Sequence, residues 1–406
     1  MDANASQIQG DCDDRFLAVK DEFRRNFQER SELGAAIAIH LDGEPVVDLW
    51  GGVAEPSTGR PWDQDSIVRV FSIAKAMTAI CMHVLIDRGL IDLDAPVAQY
   101  WPEFATNGKS DITVATVMSH QAGLPVWQAE LPKDGLLDWD AAIRALAREK
   151  PIWEPGTCHG YHGTTIGFLE GELIRLVTGK TVGSFLREEV AGPLQADAWI
   201  GLPESEEPRV AEVSIVEADP NSAMFAKLMA EPNWVGWKLI HNTGGTNDPA
   251  NINTRAYRAA ENPSVGGVAS ARGLARLFSP FSRDGAVDGL RLVRPTALPA
   301  MRHPRSASDC DLMLRLPTTF SLGFAKSWGA RKSGPGNHVI IGEQAFGAPG
   351  RVGSIGFADG EAKISFGYVM NRHGGGVGLN DRGQSLVDAA YRALGYTSSD
   401  PGCWVR

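Results

Sequence analysis

The chain has 406 residues, 43% hydrophobic and 22% charged, with a formal net charge of −10. That balance fits a globular protein of one large or two moderate domains and excludes nucleic acid or an anionic membrane as the main partner. No apolar stretch is long enough to span a bilayer, and Met1–Asp11 lacks the basic and apolar regions of a secretory signal.

In chain order, Asp14–Arg30 carries Phe16, Val19, Phe23 and Phe27 at helical spacing, which predicts an amphipathic helix. Ala35–Trp50 reads as two strands joined at Asp42-Gly43, and Ile67–Phe71 as a third. Helices are predicted at Ala74–Arg88, Val114–Ser119, Trp139–Glu149, Thr164–Thr178, Val182–Val190 and Ala271–Phe281. Leu202–Pro263 is a long Pro-, Asn-, Gly- and Trp-containing stretch, with one short helix expected near Ala223–Met229. A loop of that length usually wraps a site. Strand patterning returns at Ser321–Ser327, His338–Gly342, and Val352–Ala358 paired with Ala362–Met370 across Asp359-Gly360. A last helix is predicted at Gln384–Leu394.

Strands at both ends around a helical block predict an α+β fold. Its antiparallel sheet is built from both termini, flanked by helices, with a mostly helical domain inserted. The expected division is 1–74 with 314–406 as the sheet domain and 75–313 as the helical one, carrying the long loop 202–263. The helix after Ser72 then begins at the seam between them, where ligand sites concentrate.

Ser72-Ile73-Ala74-Lys75 opens that helix. Three residues of helix turn a side chain by about 300°, so Ser72 and Lys75 become neighbours on one face. A desolvated, neutral lysine can take the proton of a serine hydroxyl otherwise too weak to attack a carbonyl. The alternative is an N-cap serine beside a solvated lysine. Trp153–His162 is a turn-rich segment whose Tyr161 can project into a cleft; beside an ammonium its phenol is expected to fall below its usual pKa and accept the Ser72 proton. Phe346–Ser354 opens a Gly-rich strand expected beside the sheet centre. Its small residues let substrate approach the backbone, where an edge amide can complete an oxyanion hole.

Other signals carry less. No Gly-x-Ser-x-Gly elbow occurs. Gly179-Lys180-Thr181 lacks the first glycine of a phosphate loop, where Ile174 stands. His159 and His162 have no third ligand in sequence, so no metal is expected. His120 reads as structural, and Gly374-Gly375-Gly376 lacks a dinucleotide-loop setting. Cys12, Cys81, Cys158, Cys310 and Cys403 form no Cys-x-x-Cys pair, which suits reduced thiols and a cytoplasmic location.

Taken in order, Ser-x-x-Lys at an early helix, Tyr in a Pro-Gly-led loop and a Gly-rich late strand resemble the serine β-lactamase and penicillin-binding-protein superfamily. The branch they look most like is the family VIII carboxylesterases, which are similar to class C β-lactamases. Supporting stretches are Val117–Pro125, similar to the family's LLSHTSGLP; Asp87–Val97; Gly266–Ala275; and the hairpin at Gly356–Asp359. The resemblance spans roughly Gly34 to Leu394. It implies Ser72 as nucleophile, Lys75 as its base partner, Tyr161 as the second proton-transfer group, and the amides of Ser72 and Arg351 as the oxyanion hole. It implies a β-lactamase-like fold and no cofactor. Two positions depart from the lactamase pattern. Gly163 stands where Asn contacts a β-lactam side chain, and Ala348-Pro349-Gly350 replaces a Lys-Thr-Gly triad that holds a substrate carboxylate. Both changes favour neutral esters over anionic β-lactams. His162, Gly163, Ala348 and Gly350, with Trp127, Trp234 and Trp237 as rim or acyl pocket, are the expected substrate contacts. The expected activity is hydrolysis of small or medium acyl esters through an acyl-enzyme on Ser72. The alternatives are a β-lactamase or D-amino-peptide hydrolase, a linear-amide hydrolase, an acyltransferase, or a non-enzymatic scaffold.

Overall fold

The computed structural model describes residues 8–215, 231, 234–246, 248–351, 353–374, 376–398 and 402–406. The strands that matter here are β1 (Gln9–Cys12), β2 (Gly34–Leu41), β3 (Glu44–Glu55), β4 (Arg60–Pro61), β5 (Val68–Phe71), β6 (Ala198–Ile200), β7 (Gly267–Ala269), β8 (Phe346–Pro349), β9 (Ile355–Asp359) and β10 (Ile364–Met370). The helices are α1 (Leu17–Glu29), α2 (Ile73–Asp87), α3 (Ile166–Thr178), α4 (Gly236–His241), α5 (Ala271–Phe278) and α6 (Asp381–Ala393).

A seven-stranded antiparallel sheet runs in the order β1-β3-β2-β10-β9-β8, with β4 against β3. The two chain ends meet at its centre, where Ala35 faces Met370 and Ile37 faces Tyr368. Alternation along β2 and β10 assigns each face of the sheet. Ile37, Ile39, Phe366 and Tyr368 join one core with Val19 and Phe23 of α1 and Leu386 and Val387 of α6. Ala38 and Val369 join the other, with Leu274, Ala275 and Phe278 of α5.

Behind that second face lies α2. Every residue from Ile73 to Leu85 is buried, as expected of a helix that is apolar nearly all round. Lys75 is therefore carried into the interior by its neighbours rather than by its own preference. A three-stranded sheet with β7 between β5 and β6 adjoins α2 and delivers the chain to Ser72.

Several local expectations change. Ser321–Ser327 and His338–Gly342 are not continuous strands; isolated bridges join Ala325 to Gly347 and Trp328 to Val339. The run bends at Gly323 (φ +84°) and Gly329 (φ +68°), conformations that end a ladder. The late Gly-rich strand β8 sits at the edge of the sheet rather than beside its centre. Val182–Val190 splits into a helical turn, Val182–Phe185, and a π-helical stretch, Leu186–Ala191. The helix expected near Ala223–Met229 lies outside the described residues. The rest of the 202–263 stretch holds α4 and short helical turns at Glu204–Arg209, Pro249–Ile252 and Arg255–Ala259.

Candidate active site

Ser72 stands between β5 and α2. Phe71, just before it, has φ +48°, a strained conformation for a bulky residue that costs on the order of 1–3 kcal/mol. Ser72 occupies the N-cap position, yet its side chain makes no capping hydrogen bond. Its Oγ lies 3.1 Å from Lys75 Nζ instead.

Lys75 is 5% exposed, and its amine donates to the Ser264 carbonyl at 2.8 Å. That carbonyl is aimed by its own surroundings: the Asn262 carboxamide accepts from the N–H groups of Ser264 and Val265. The Ser264 hydroxyl donates to the Thr164 carbonyl and accepts from the Gly167 N–H. Burial pulls Lys75 from the usual lysine range down to about 7, partly opposed by the charge of Glu170. A neutral amine that donates to Ser264 keeps its lone pair for the serine proton.

Tyr161 meets the same hydroxyl. Its phenol is hydrogen-bonded to Ser72, and burial outweighs that bond to push it up to about 12. The expectation of a lowered phenol is therefore corrected: desolvation, with the nearby charge of Asp311, disfavours the phenolate more than the bond to Ser72 favours it. Lys75 Nζ lies 5.0 Å from the Tyr161 ring centroid.

The loop carrying Tyr161 is fixed by contacts distant in sequence. Its N–H donates to both oxygens of Asp311, at 3.1 and 3.0 Å. The buried Asp311 carboxylate also accepts from Met313 N–H, Leu314 N–H and Thr318 Oγ1. His120, at φ +60°, accepts from Gly160 N–H through its carbonyl and from His162 N–H through Nδ1. The Ser119–Pro125 turn is thus a cradle for the tyrosine loop. Ser264 and Asp311 were not singled out in the sequence; the Asn-Pro-Ser turn at 262–264 is a local cue for the first, and none exists for the second.

The other expected contacts divide. Gly350 lies against the nucleophile turn: a Cβ there would come within 2.6 Å of the Val70 carbonyl, so β8 can approach only through glycine. Ala348 is buried in β8 opposite Gly356. Arg351 follows Gly350, and its carbonyl accepts from His373 Nδ1 at 2.7 Å. Gly163 packs against α4, where an added Cβ would lie 2.2 Å from Leu239 Cδ1 and 3.3 Å from Tyr161 Cε1. His162 is fully buried with both ring nitrogens bonded to backbone, Nδ1 to the Gly160 carbonyl and Nε2 to Leu124 N–H, so it braces the loop and does not face substrate. Trp127 is core rather than rim: it is buried, donates to the Ala142 carbonyl and meets Phe168 edge-on at 5.4 Å. Trp234 is nearly buried and donates to the Leu312 carbonyl. Trp237 is half-exposed and stacks on His241 at 4.8 Å. The three tryptophans do not line one pocket. His159 is bonded to Thr318 Oγ1 and shares no ligand cluster with His162.

A profile of the Beta-lactamase family matches residues 23–391. Esterase/beta-lactamase LipL of Mycobacterium tuberculosis is 37% identical over 392 residues, covering 92% of this chain and 87% of that protein. The crystal structure of a family VIII carboxylesterase superposes with a TM-score of 0.82 at 36% identity, covering 95% of this chain and all of the other. A penicillin-binding protein homologue from Caulobacter crescentus superposes with a TM-score of 0.83, also at 36% identity, over 95% of this chain and all of the other.

Proposed function

The chain belongs to the beta-lactamase family, and from that premise we propose that it hydrolyses carboxylic esters through an acyl-enzyme on Ser72. Its fold is the β-lactamase-like α+β arrangement, and it is a serine hydrolase of the carboxylesterase type. The observation that carries the reading is the bracketing of one hydroxyl by a lysine held near 7 and a tyrosine held near 12.

Lys75, neutral above about pH 7, takes the Ser72 proton as Oγ attacks the ester carbonyl. Tyr161 stays a phenol, donates to the oxygen array, and relays the proton from Lys75 to the departing alkoxide. The backbone N–H groups of Ser72 and Arg351 hold the oxyanion, worth about 3 kcal/mol per donor. The close approach of Gly350 to the Val70 carbonyl supports that pairing. Water, deprotonated by the same pair, then hydrolyses the acyl-enzyme.

Gly163 backed by Leu239, and Ala348-Pro349 at the end of β8 with Gly350 just after it, offer a substrate backbone and small side chains. Small or medium acyl groups suit that wall, and β-lactam turnover is expected to be slow. No helix among the described residues is long and apolar enough to cross a membrane. A cytoplasmic location agrees with the unpaired thiols of Cys12, Cys81, Cys158 and Cys310.

The test is release of p-nitrophenol from p-nitrophenyl acetate and butyrate, with fluorophosphonate labelling mapped by mass spectrometry. Turnover, a label on Ser72, and a loss on the order of 10⁴-fold or more in Ser72→Ala are expected. Nitrocefin turnover exceeding ester turnover, or ester hydrolysis that survives Ser72→Ala, would overturn the proposal.

A further inference from the structure

Around Phe71, the residue before the nucleophile, two positive charges converge, and among the described residues no carboxylate pairs with either. Arg69 on β5 is 2% exposed. Its Nε donates to the Val265 carbonyl at 3.2 Å, while its Nη1 is buried without a partner. The Arg69 guanidinium carbon lies 4.9 Å from the Phe71 ring centroid and that of Arg351 lies 5.8 Å from the same centroid. The two charges are therefore within about 11 Å of each other, close to the screening length of physiological salt and in a site that excludes much of that salt. Among the described residues, neither arginine forms an ion pair.

A third group completes the cluster. His373 is fully buried and meets Phe71 edge-on at 4.8 Å. Its Nδ1 donates to the Arg351 carbonyl, which leaves Nε2 buried and without a partner. Burial and the neighbouring guanidiniums pull His373 down to about 3, so it stays neutral. Arg69, pulled to about 10 by burial first and by Arg351 second, stays charged.

Bringing two desolvated like charges together without a counter-ion is unfavourable, and a bound anion relieves it. We propose that Arg69 and Arg351 form an anion subsite beside Ser72, and that the preferred substrates are esters carrying a carboxylate, such as half-esters of dicarboxylic acids. The proposal deepens the esterase reading and rests on it. Arg351 acts twice in it, the backbone N–H toward the oxyanion and the side chain toward the distal carboxylate. The subsite lies where the residues bordering Ser72, not a lysine on β8, supply the charge.

The test compares kcat/KM for matched pairs. 4-Nitrophenyl hydrogen adipate against 4-nitrophenyl hexanoate reports a carboxylate on the acyl side. 4-Carboxyphenyl butyrate against phenyl butyrate reports one on the alcohol side. The wild type is expected to favour the charged member of at least one pair tenfold or more, with the ratio falling at least tenfold in Arg351→Gln and shrinking in 0.5 M NaCl. Arg69→Met should lower the ratio in the same direction. Titration calorimetry with adipate supplies a readout that needs no turnover. Adipate binding that weakens at least tenfold in Arg351→Gln while no ester is hydrolysed would sink the esterase reading and keep the subsite. Ester turnover with equal ratios and no adipate binding would overturn the subsite and keep the esterase.

Discussion

Lys75 on α2 and Tyr161 on the 153–163 loop serve the same hydroxyl, yet burial acts on them in opposite senses. It lowers the lysine to about 7 and raises the tyrosine to about 12. In each case desolvation favours the neutral form. A neutral amine is a base, and a neutral phenol is a proton donor. One physical cause therefore gives two adjacent side chains complementary roles without an ion pair between them. The two regions also reach this state by different routes. The lysine is held by a buried, mostly apolar helix and one backbone carbonyl, and the tyrosine loop by Asp311 and His120, polar groups from two distant segments.

The asymmetry is tested first by removing the base. Lys75→Met should lower kcat/KM for p-nitrophenyl butyrate on the order of 10³–10⁴-fold. The same variant should be more stable than wild type. A lysine whose folded pKa lies below its unfolded value binds fewer protons folded than unfolded between pH 7 and 10.5. Its burial therefore opposes folding most at and below pH 7, and that opposition fades as pH rises toward 10.5. A Tm gain of a few degrees at pH 7 that shrinks by pH 10 is expected in thermal melts. Equal gains at both pH values would contradict a neutral lysine.

Tyr161→Phe should cost less, on the order of 10²-fold, since the base remains and only the relay is lost. If kcat/KM falls as far as in Lys75→Met, the tyrosine is the base and the assignment is reversed. Smaller still is the effect at the wall. Gly163→Asn should reduce ester turnover several-fold through the clash with Leu239, and turnover should recover in the Gly163→Asn, Leu239→Ala double variant. No recovery would mean that Leu239 does not set the pocket.

The regions differ in how far the sequence speaks for them. Ser72 and Lys75 are legible because helical geometry ties them together over three residues. The central strands and α1, α2 and α6 are legible because alternation and helical spacing persist over whole elements. Tyr161 is legible only through the company it keeps in order along the chain. Asp311, which clamps the tyrosine backbone from 150 residues away, leaves no local trace. The tryptophans mislead for the same reason. Trp127 sits in a loop by sequence but is drawn into the core by Phe168 and the Ala142 carbonyl, a tertiary contact that no window around residue 127 contains. Ser321–Ser327 has strand-like composition, but the positive φ of Gly323 breaks its ladder.

The most direct test is the pH dependence of kcat/KM for a neutral p-nitrophenyl ester in the wild type. The account predicts a single acid limb, rising with unit slope to a plateau with a midpoint near pH 7 as Lys75 loses its proton, and no second limb from Tyr161 up to pH 10. Activity that is flat through pH 7, or that rises only as the pH nears 10, would contradict it.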